Sequence, residues 1–177
     1  DFEVLYEQAK VAHKKFGGWL EETFGKPYVV DPGVKKKDRC KEKIRLDYEN
    51  NASRIRDISR FTLKFDIVQD LFDAYKKIEK CNFVKVVQVK NKYLNPDTVG
   101  NRDINLNIEV KISPSQFHIS ELQLNLSKVL DAKERSRGHY EHIRTSIPEQ
   151  LKTLNLSIEE KKSERLERFI IKSLQSP

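Results

Sequence analysis

Apolar residues at Phe2, Leu5, Tyr6, Ala9, Ala12, Phe16, Trp19, Leu20 and Phe24 recur at steps of three and four, the spacing of an amphipathic helix with one face on a core. Gly17-Gly18 falls inside that run and is a place for the helix to bend. Pro27 to Gly33 is punctuation. Val34 to about Asn51 then reads as a second helix, so polar that Val34, Ile44, Leu46 and Tyr48 are its only clear apolar anchors. Most of its surface is left for solvent or a ligand.

From Ile58 the period changes. Phe61, Leu63 and Phe65 alternate with Arg60, Thr62 and Lys64, the signature of a half-buried strand, and Asp66 is placed to cap a helix carrying Val68, Leu71, Phe72, Tyr75 and Ile78. Val84, Val86, Val87 and Val89 predict a β-branched strand, and Asn91 to Gly100 a loop. Ile104, Leu106, Ile108, Val110 and Ile112 alternate strictly with polar residues, the clearest strand in the chain. Ser113-Pro114-Ser115 turns it back antiparallel through Phe117 to about Leu124. Leu126, Val129, Leu130, Tyr140 and Ile143 mark a helix interrupted near Gly138, and Ser157 with Glu160 forms a capping box opening a last helix with Leu166, Phe169, Ile170 and Leu174 inward.

This order describes an α/β (α+β) fold, a mixed, partly antiparallel sheet flanked by helices. With 177 residues a single domain is expected, with N-terminal helices over 1–52, the sheet core over 53–145 and C-terminal helices over 146–177. No apolar run approaches the roughly 20 residues of a membrane span, so a soluble protein without membrane contact is expected. The chain starts at Asp1 and contains no methionine, as an excised or processed piece would. Cys40 and Cys81 match neither a disulfide framework nor a metal spacing, which points to free thiols in an intracellular, cytoplasmic setting. A net charge of +7 favours anionic partners such as nucleotides or RNA, although a lysine-rich solvated surface would carry the same charge.

The chemistry concentrates near the end of the last strand. Glu121 and Gln123 are two apart and emerge on one face, where Phe117 and Ile119 give way to Glu121, Gln123 and Asn125. Asn105, Asn107 and Glu109 are the natural cross-strand neighbours. Carboxylates and amides gathered there suit a metal-bound phosphate or a general base acting on a hydroxyl; a solvent-facing sheet surface is the plainer alternative. His118, His139 and His142 lack an H-x-x-x-H spacing, and no zinc site is assigned to them.

With these residues in order, the stretch from about Val34 to Arg144 resembles the RelA/SpoT nucleotide pyrophosphokinases, the alarmone synthetases. Glu121-Leu122-Gln123 resembles that family's E-x-Q strand, and Asp57-Ile58 its metal-binding aspartate in D-L-x-G-x-R. Lys92 to Pro96 with Val99 to Asp103 is similar to its K-D-x-x-x-x-P loop and G-Y-x-S-x-H motif. Lys35, Lys37, Arg39 and Lys43 resemble the basic helix that holds the donor triphosphate, and His139-Tyr140 a histidine-tyrosine signature. The resemblance implies Mg2+ on Asp57 and Glu121, catalysis by Glu121 with Gln123, ATP as donor, and nucleotide binding by Lys35, Lys37, Arg39, Lys43, Arg60, Lys92, Asn101 and Asn105.

The chain also departs from the pattern. Asn101 stands where the family has the tyrosine that stacks on guanine, Asn105 where it has histidine, and Arg60 and Thr62 where it has glycine and arginine. No His-Asp dipeptide occurs, so the hydrolase half of bifunctional members is absent from this stretch. Two functions remain open: magnesium-dependent transfer of pyrophosphate from ATP to a nucleotide or RNA hydroxyl, tRNA included, or a catalytically degenerate nucleotide- or RNA-binding module of a larger protein.

Overall fold

Residues 1–96 and 101–138 are described by the computed structural model. The strands are β1 (Val29–Val30), β2 (Arg60–Phe65), β3 (Val84–Asn91), β4 (Ile104–Ser113) and β5 (Gln116–Leu126), and the helices α1 (Phe2–Phe24), α2 (Lys37–Asp47) and α3 (Val68–Glu79). One five-stranded sheet has the order β1-β2-β5-β4-β3, with β2 parallel to β5 and every other pair antiparallel. This is the mixed sheet that the alternating patterns predict. By internal contacts the chain falls into two units, Asp1–Asp131 and Ala132–Pro177. Residues 127–138 are helical. The expectations for Val99-Gly100, for His139, Tyr140, His142 and Ile143, for the Ser157 capping box and for the closing helix lie outside the described residues.

Period two sorts the sheet into two faces. Phe61, Leu63, Leu106, Ile108, Val110, Leu122 and Leu124 fall on one, and the apolar stripes of α1 (Ala12, Phe16, Leu20) and α3 (Leu71, Ala74, Ile78) pack there in one buried cluster. Each fully buried Phe or Leu contributes roughly 1.5–3 kcal/mol through removal from water. A second cluster joins Tyr6 and Ala9 of α1 to Cys40 and Ile44 of α2 and to Ile55 and Ile58 ahead of β2. Through it α2 is fixed beside the start of β2. Among the described residues no helix is long and apolar enough to cross a membrane.

Three local expectations change. The second helix begins at Lys37, leaving Val34 and Lys35 in the approach to it, where the Lys35 N–H donates to the carbonyl of Ile58 at 2.9 Å. α3 takes Ile67 as its N-cap with no side-chain cap bond, so Asp66 does not cap it. The β4–β5 turn is tighter than three residues, because Ser113 pairs with Gln116 across Pro114-Ser115.

α1 runs through Gly17-Gly18 as one helix, and the two glycines differ. A Cβ on Gly17 would lie 2.8 Å from Cζ of Phe61, whereas one on Gly18 would meet nothing within 4 Å. Phe61 cannot yield easily: His13 stacks on it at 4.3 Å and Phe16 packs edge-on at 5.7 Å. Opposite signs are therefore expected in urea unfolding. Gly18→Ala gains roughly 0.5–1 kcal/mol from helix propensity, and Gly17→Ala loses roughly 1–3 kcal/mol to overpacking. Stabilisation by both would show that Phe61 does not hold its place against α1.

Candidate functional site

The face opposite α1 and α3 is polar in rows. Arg60 of β2 pairs with Glu121 of β5, and Glu121 with Asn107 of β4, whose amide donates to Oε1 of Gln88 on β3 at 2.7 Å. In the next row Thr62 is beside Gln123, Gln123 beside Asn105, and Asn105 beside Lys90. Gln123 Nε2 donates to Glu121 Oε1 at 2.9 Å, which fixes the carboxylate from its own strand. Asn105 and Asn107 are buried, and Glu121 and Gln123 half-buried. Asn125, wholly buried one step further along, has no hydrogen-bond partner for its amide.

A charged cluster adjoins this face at the start of β2. Asp57 Oδ2 accepts from Lys35 Nζ at 2.7 Å and from Lys43 Nζ at 2.8 Å, while Oδ1 is buried without a hydrogen-bond partner. Burial pushes Asp57 upward, but the Lys43 and Lys35 ammonium groups outweigh it and hold the carboxyl below its ordinary range. For Lys43 burial acts downward, and the Asp57 charge and hydrogen bond, with smaller contributions from Tyr48 and Glu121, raise it overall. Lys43 thus senses both carboxylates. The Glu121 N–H also donates to the carbonyl of Ser59, two residues after Asp57, at 2.9 Å. Among the described residues no three histidine, cysteine, aspartate or glutamate side chains gather as a metal site.

No protein-family model matches this chain, and no curated protein matches it in sequence. Solved structures do. The small alarmone synthetase 2 of Bacillus subtilis superposes with a TM-score of 0.64 at 17% identity, covering 97% of this chain and 91% of that one. The small alarmone synthetase 1 of Bacillus subtilis bound to its product pppGpp gives 0.64 at 15% identity over 95% and 90%, and the same protein bound to AMPCPP gives 0.54 at 17% over 98% and 96%. This chain has the small alarmone synthetase fold.

On that fold the residues picked out by resemblance separate into groups. Lys35, Lys43 and Asp57 make one cluster, and Arg60, Glu121, Gln123 and Asn105 share the polar face beside it. Lys37 instead pairs with Glu3 of α1, and Arg39 with Glu42 at 2.8 Å on the outer surface of α2. Helical period accounts for Lys37, which lies on another side of α2 from Lys43; Arg39, one turn before Lys43, shares its side of the helix but pairs with Glu42. Lys92 and Asn101 belong to the β3–β4 connection; Lys92 Nζ is 3.8 Å from Asp103, and its N–H donates to the Asp103 carbonyl. In the same connection the Tyr93 hydroxyl accepts from the Leu126 N–H at 2.9 Å and tethers the loop to the end of β5.

Two polar features escape sequence reasoning. His13 Nε2 is 3.0 Å from Asp31, its Nδ1 is 3.4 Å from Ser59 Oγ, and Ser120 Oγ donates to Ser59 at 2.9 Å. The line has the membership of a nucleophilic triad, but Ser59 and Ser120 are wholly buried and no substrate reaches them. It bolts α1 to β2 and β5. The second is His118, buried on the apolar face with neither ring nitrogen hydrogen-bonded. Burial lowers its pKa to about 4.

A histidine whose folded pKa is depressed adds stability above its unfolded value, and that stability drains away as pH falls. For His118 the window runs from about pH 6.5 to about 4, and the full loss is up to about 3 kcal/mol. Unfolding free energies of wild type and His118→Leu at pH 7 and pH 4.5 should therefore diverge, the variant keeping more of its stability in acid. Parallel curves would mean that His118 is charged or solvated when folded.

Proposed function

We propose that the chain transfers the β,γ-pyrophosphate of ATP to a hydroxyl of a nucleotide or RNA acceptor. The observation that supports this most is the backbone link between the two groups: Asp57 of the Lys35–Asp57–Lys43 cluster lies two residues before Ser59, whose carbonyl accepts from the N–H of Glu121, and Gln123 holds the Glu121 carboxylate. Cations for a triphosphate and a base for a hydroxyl are then tied to one hydrogen-bonded strand pair.

Magnesium fits the donor set. It takes one or two carboxylates, keeps several waters and completes its shell with substrate phosphates. Asp57, with its partnerless buried Oδ1, and Glu121 would hold the ion. When bound it neutralises charge on the phosphates. The chain's own residues do the rest: Lys35, Lys43 and Arg60 balance the triphosphate, and Gln123 keeps Glu121 aimed. The acceptor hydroxyl oxygen bonds to the β-phosphorus as its proton passes to Glu121. The bond from that phosphorus to the oxygen bridging the α-phosphorus breaks, and AMP leaves with the electron pair.

Asn101 favours an acceptor other than GDP. An asparagine has no aromatic face for a base, and stacking of that kind is worth roughly 1–3 kcal/mol. In the assay, labelled ATP and magnesium are incubated with GDP, AMP or tRNA; label is expected on tRNA in preference to GDP. Efficient transfer to GDP would show the missing tyrosine to be dispensable, and transfer to none of the three would leave a nucleotide- or RNA-binding module. With the accepted substrate, Glu121→Gln should lower turnover by roughly 10²–10⁴-fold, the range for general acid-base groups, with unfolding free energy changed by about 0.5 kcal/mol or less.

The split among the basic residues gives a separate test. Lys43→Ala should weaken ATP binding and reduce its salt dependence, whereas Lys37→Ala, which removes an exposed pair with Glu3, should leave both nearly unchanged. Equal effects would return Lys37 to the donor site.

A further inference from the structure

Resting on the donor-site reading above, we propose that Lys35 and Lys43 form a substrate-released clamp on Asp57. Without ligand they occupy the carboxylate a divalent cation would use. A triphosphate draws them off, so that triphosphate and cation bind as a coupled pair.

Both ammonium groups converge on one oxygen, Oδ2 of Asp57, at 2.7 and 2.8 Å. The side chains are largely out of water, with relative exposures of 13% for Lys35, 28% for Lys43 and 12% for Asp57. Two lysines against one aspartate leave a net positive charge, which repels a cation and attracts an anion. Among the described residues neither lysine has a second carboxylate within ion-pair distance. A polyphosphate is the chemistry that would satisfy both.

The two sides of the clamp differ in freedom. Asp57 is followed directly by Ile58 and Ser59, both wholly buried, and the carbonyls of Ile58 and Ser59 accept from Lys35 and Glu121 N–H groups. The carboxylate therefore stays where it is. Each lysine carries its charge on a four-carbon stem with rotatable donors and can move to a new anion while its backbone is held. Release leaves both oxygens of Asp57 open on a fixed support, and Oδ1 has no hydrogen bond to give up. Coupling of this kind is reciprocal: triphosphate raises cation affinity by the factor by which cation raises triphosphate affinity.

The consequence is unusual for a metal-side carboxylate, because removing it should strengthen binding of the metal-free donor. In calorimetric titrations with α,β-methylene ATP, Asp57→Asn is expected to bind the analogue in EDTA about tenfold more tightly than wild type does, and to lose the gain that magnesium gives wild type. Lys43→Gln makes the complementary test and leaves Lys35 on Asp57 to support the fold. It should take up Mn2+ without nucleotide about tenfold more tightly than wild type, read by electron paramagnetic resonance. If wild type binds the analogue with magnesium, yet Asp57→Asn binds the metal-free analogue no better or Lys43→Gln shows no gain in Mn2+ binding, the clamp is overturned and the donor site stands. If wild type does not bind the analogue with magnesium, both readings are overturned together.

Discussion

A strand delivers alternate side chains to opposite faces, and β5 must use both. Leu122 and Leu124 are wholly buried under α1, while Glu121, Gln123 and Asn125 emerge on the other side. A slip of one residue against β2 or β4 would carry the carboxylate into the core and the leucines out of it. Register is therefore the constraint on which everything else rests. It is set locally by the tight β4–β5 hairpin and over long range by the parallel pairing that places Arg60 beside Glu121. The β2–β5 pairing also sets Asp57 three residues ahead of the Arg60–Glu121 pair, although 64 residues separate Asp57 from Glu121 in the chain.

The Asp57 cluster is hard to explain as a device for stability. Ion pairs removed from water gain in attraction about what they lose in desolvation, and apolar replacements of similar volume are often neutral or better. The anchors of α2, Cys40 and Ile44, already pack against Tyr6 and Ala9 without help from the charge at 43. Retaining a lysine on a buried carboxylate makes sense where the charge has a second use.

Much of this was legible in the sequence, and the boundary follows from the range of each interaction. Strict alternation over Ile104–Ile112 and the switch to polar residues at Glu121 gave both faces of β4 and β5, because period two is a local property. The alarmone synthetase fold followed from ordered motifs spread along the chain. Helix ends were less visible. Val34 and Lys35 look like the first turn of α2 by composition, yet the Lys35 N–H is taken by Ile58, and Asp66 loses its capping role to the backbone of Ile67. The two-residue β1 has too few positions to display a period. Contacts such as His13 to Asp31 and Ser59, or Tyr93 to Leu126, arise only when distant elements meet, and no spacing in the sequence encodes them.

The buried side of the sheet also sets the geometry of the polar side. Gly17 lets α1 approach until Phe61 fills the gap; Phe61 stacks on His13, and His13 reaches Ser59, which holds the Ser120 hydroxyl and, through its carbonyl, the Glu121 N–H. Ser59 lies two residues from Asp57, so any change that moves Phe61 shifts the support common to both carboxylates. Packing there has little slack, since both serines are wholly buried and a Cβ at Gly17 would lie only 2.8 Å from Phe61. Under the proposed transfer the distance between Asp57 and Glu121 would have to hold to a fraction of an ångström, and backbone hydrogen bonds supply that stiffness better than flexible side chains do. On the proposed reading the core behind the sheet is thus the rigid half of the site, and Lys35 and Lys43 are the half that moves.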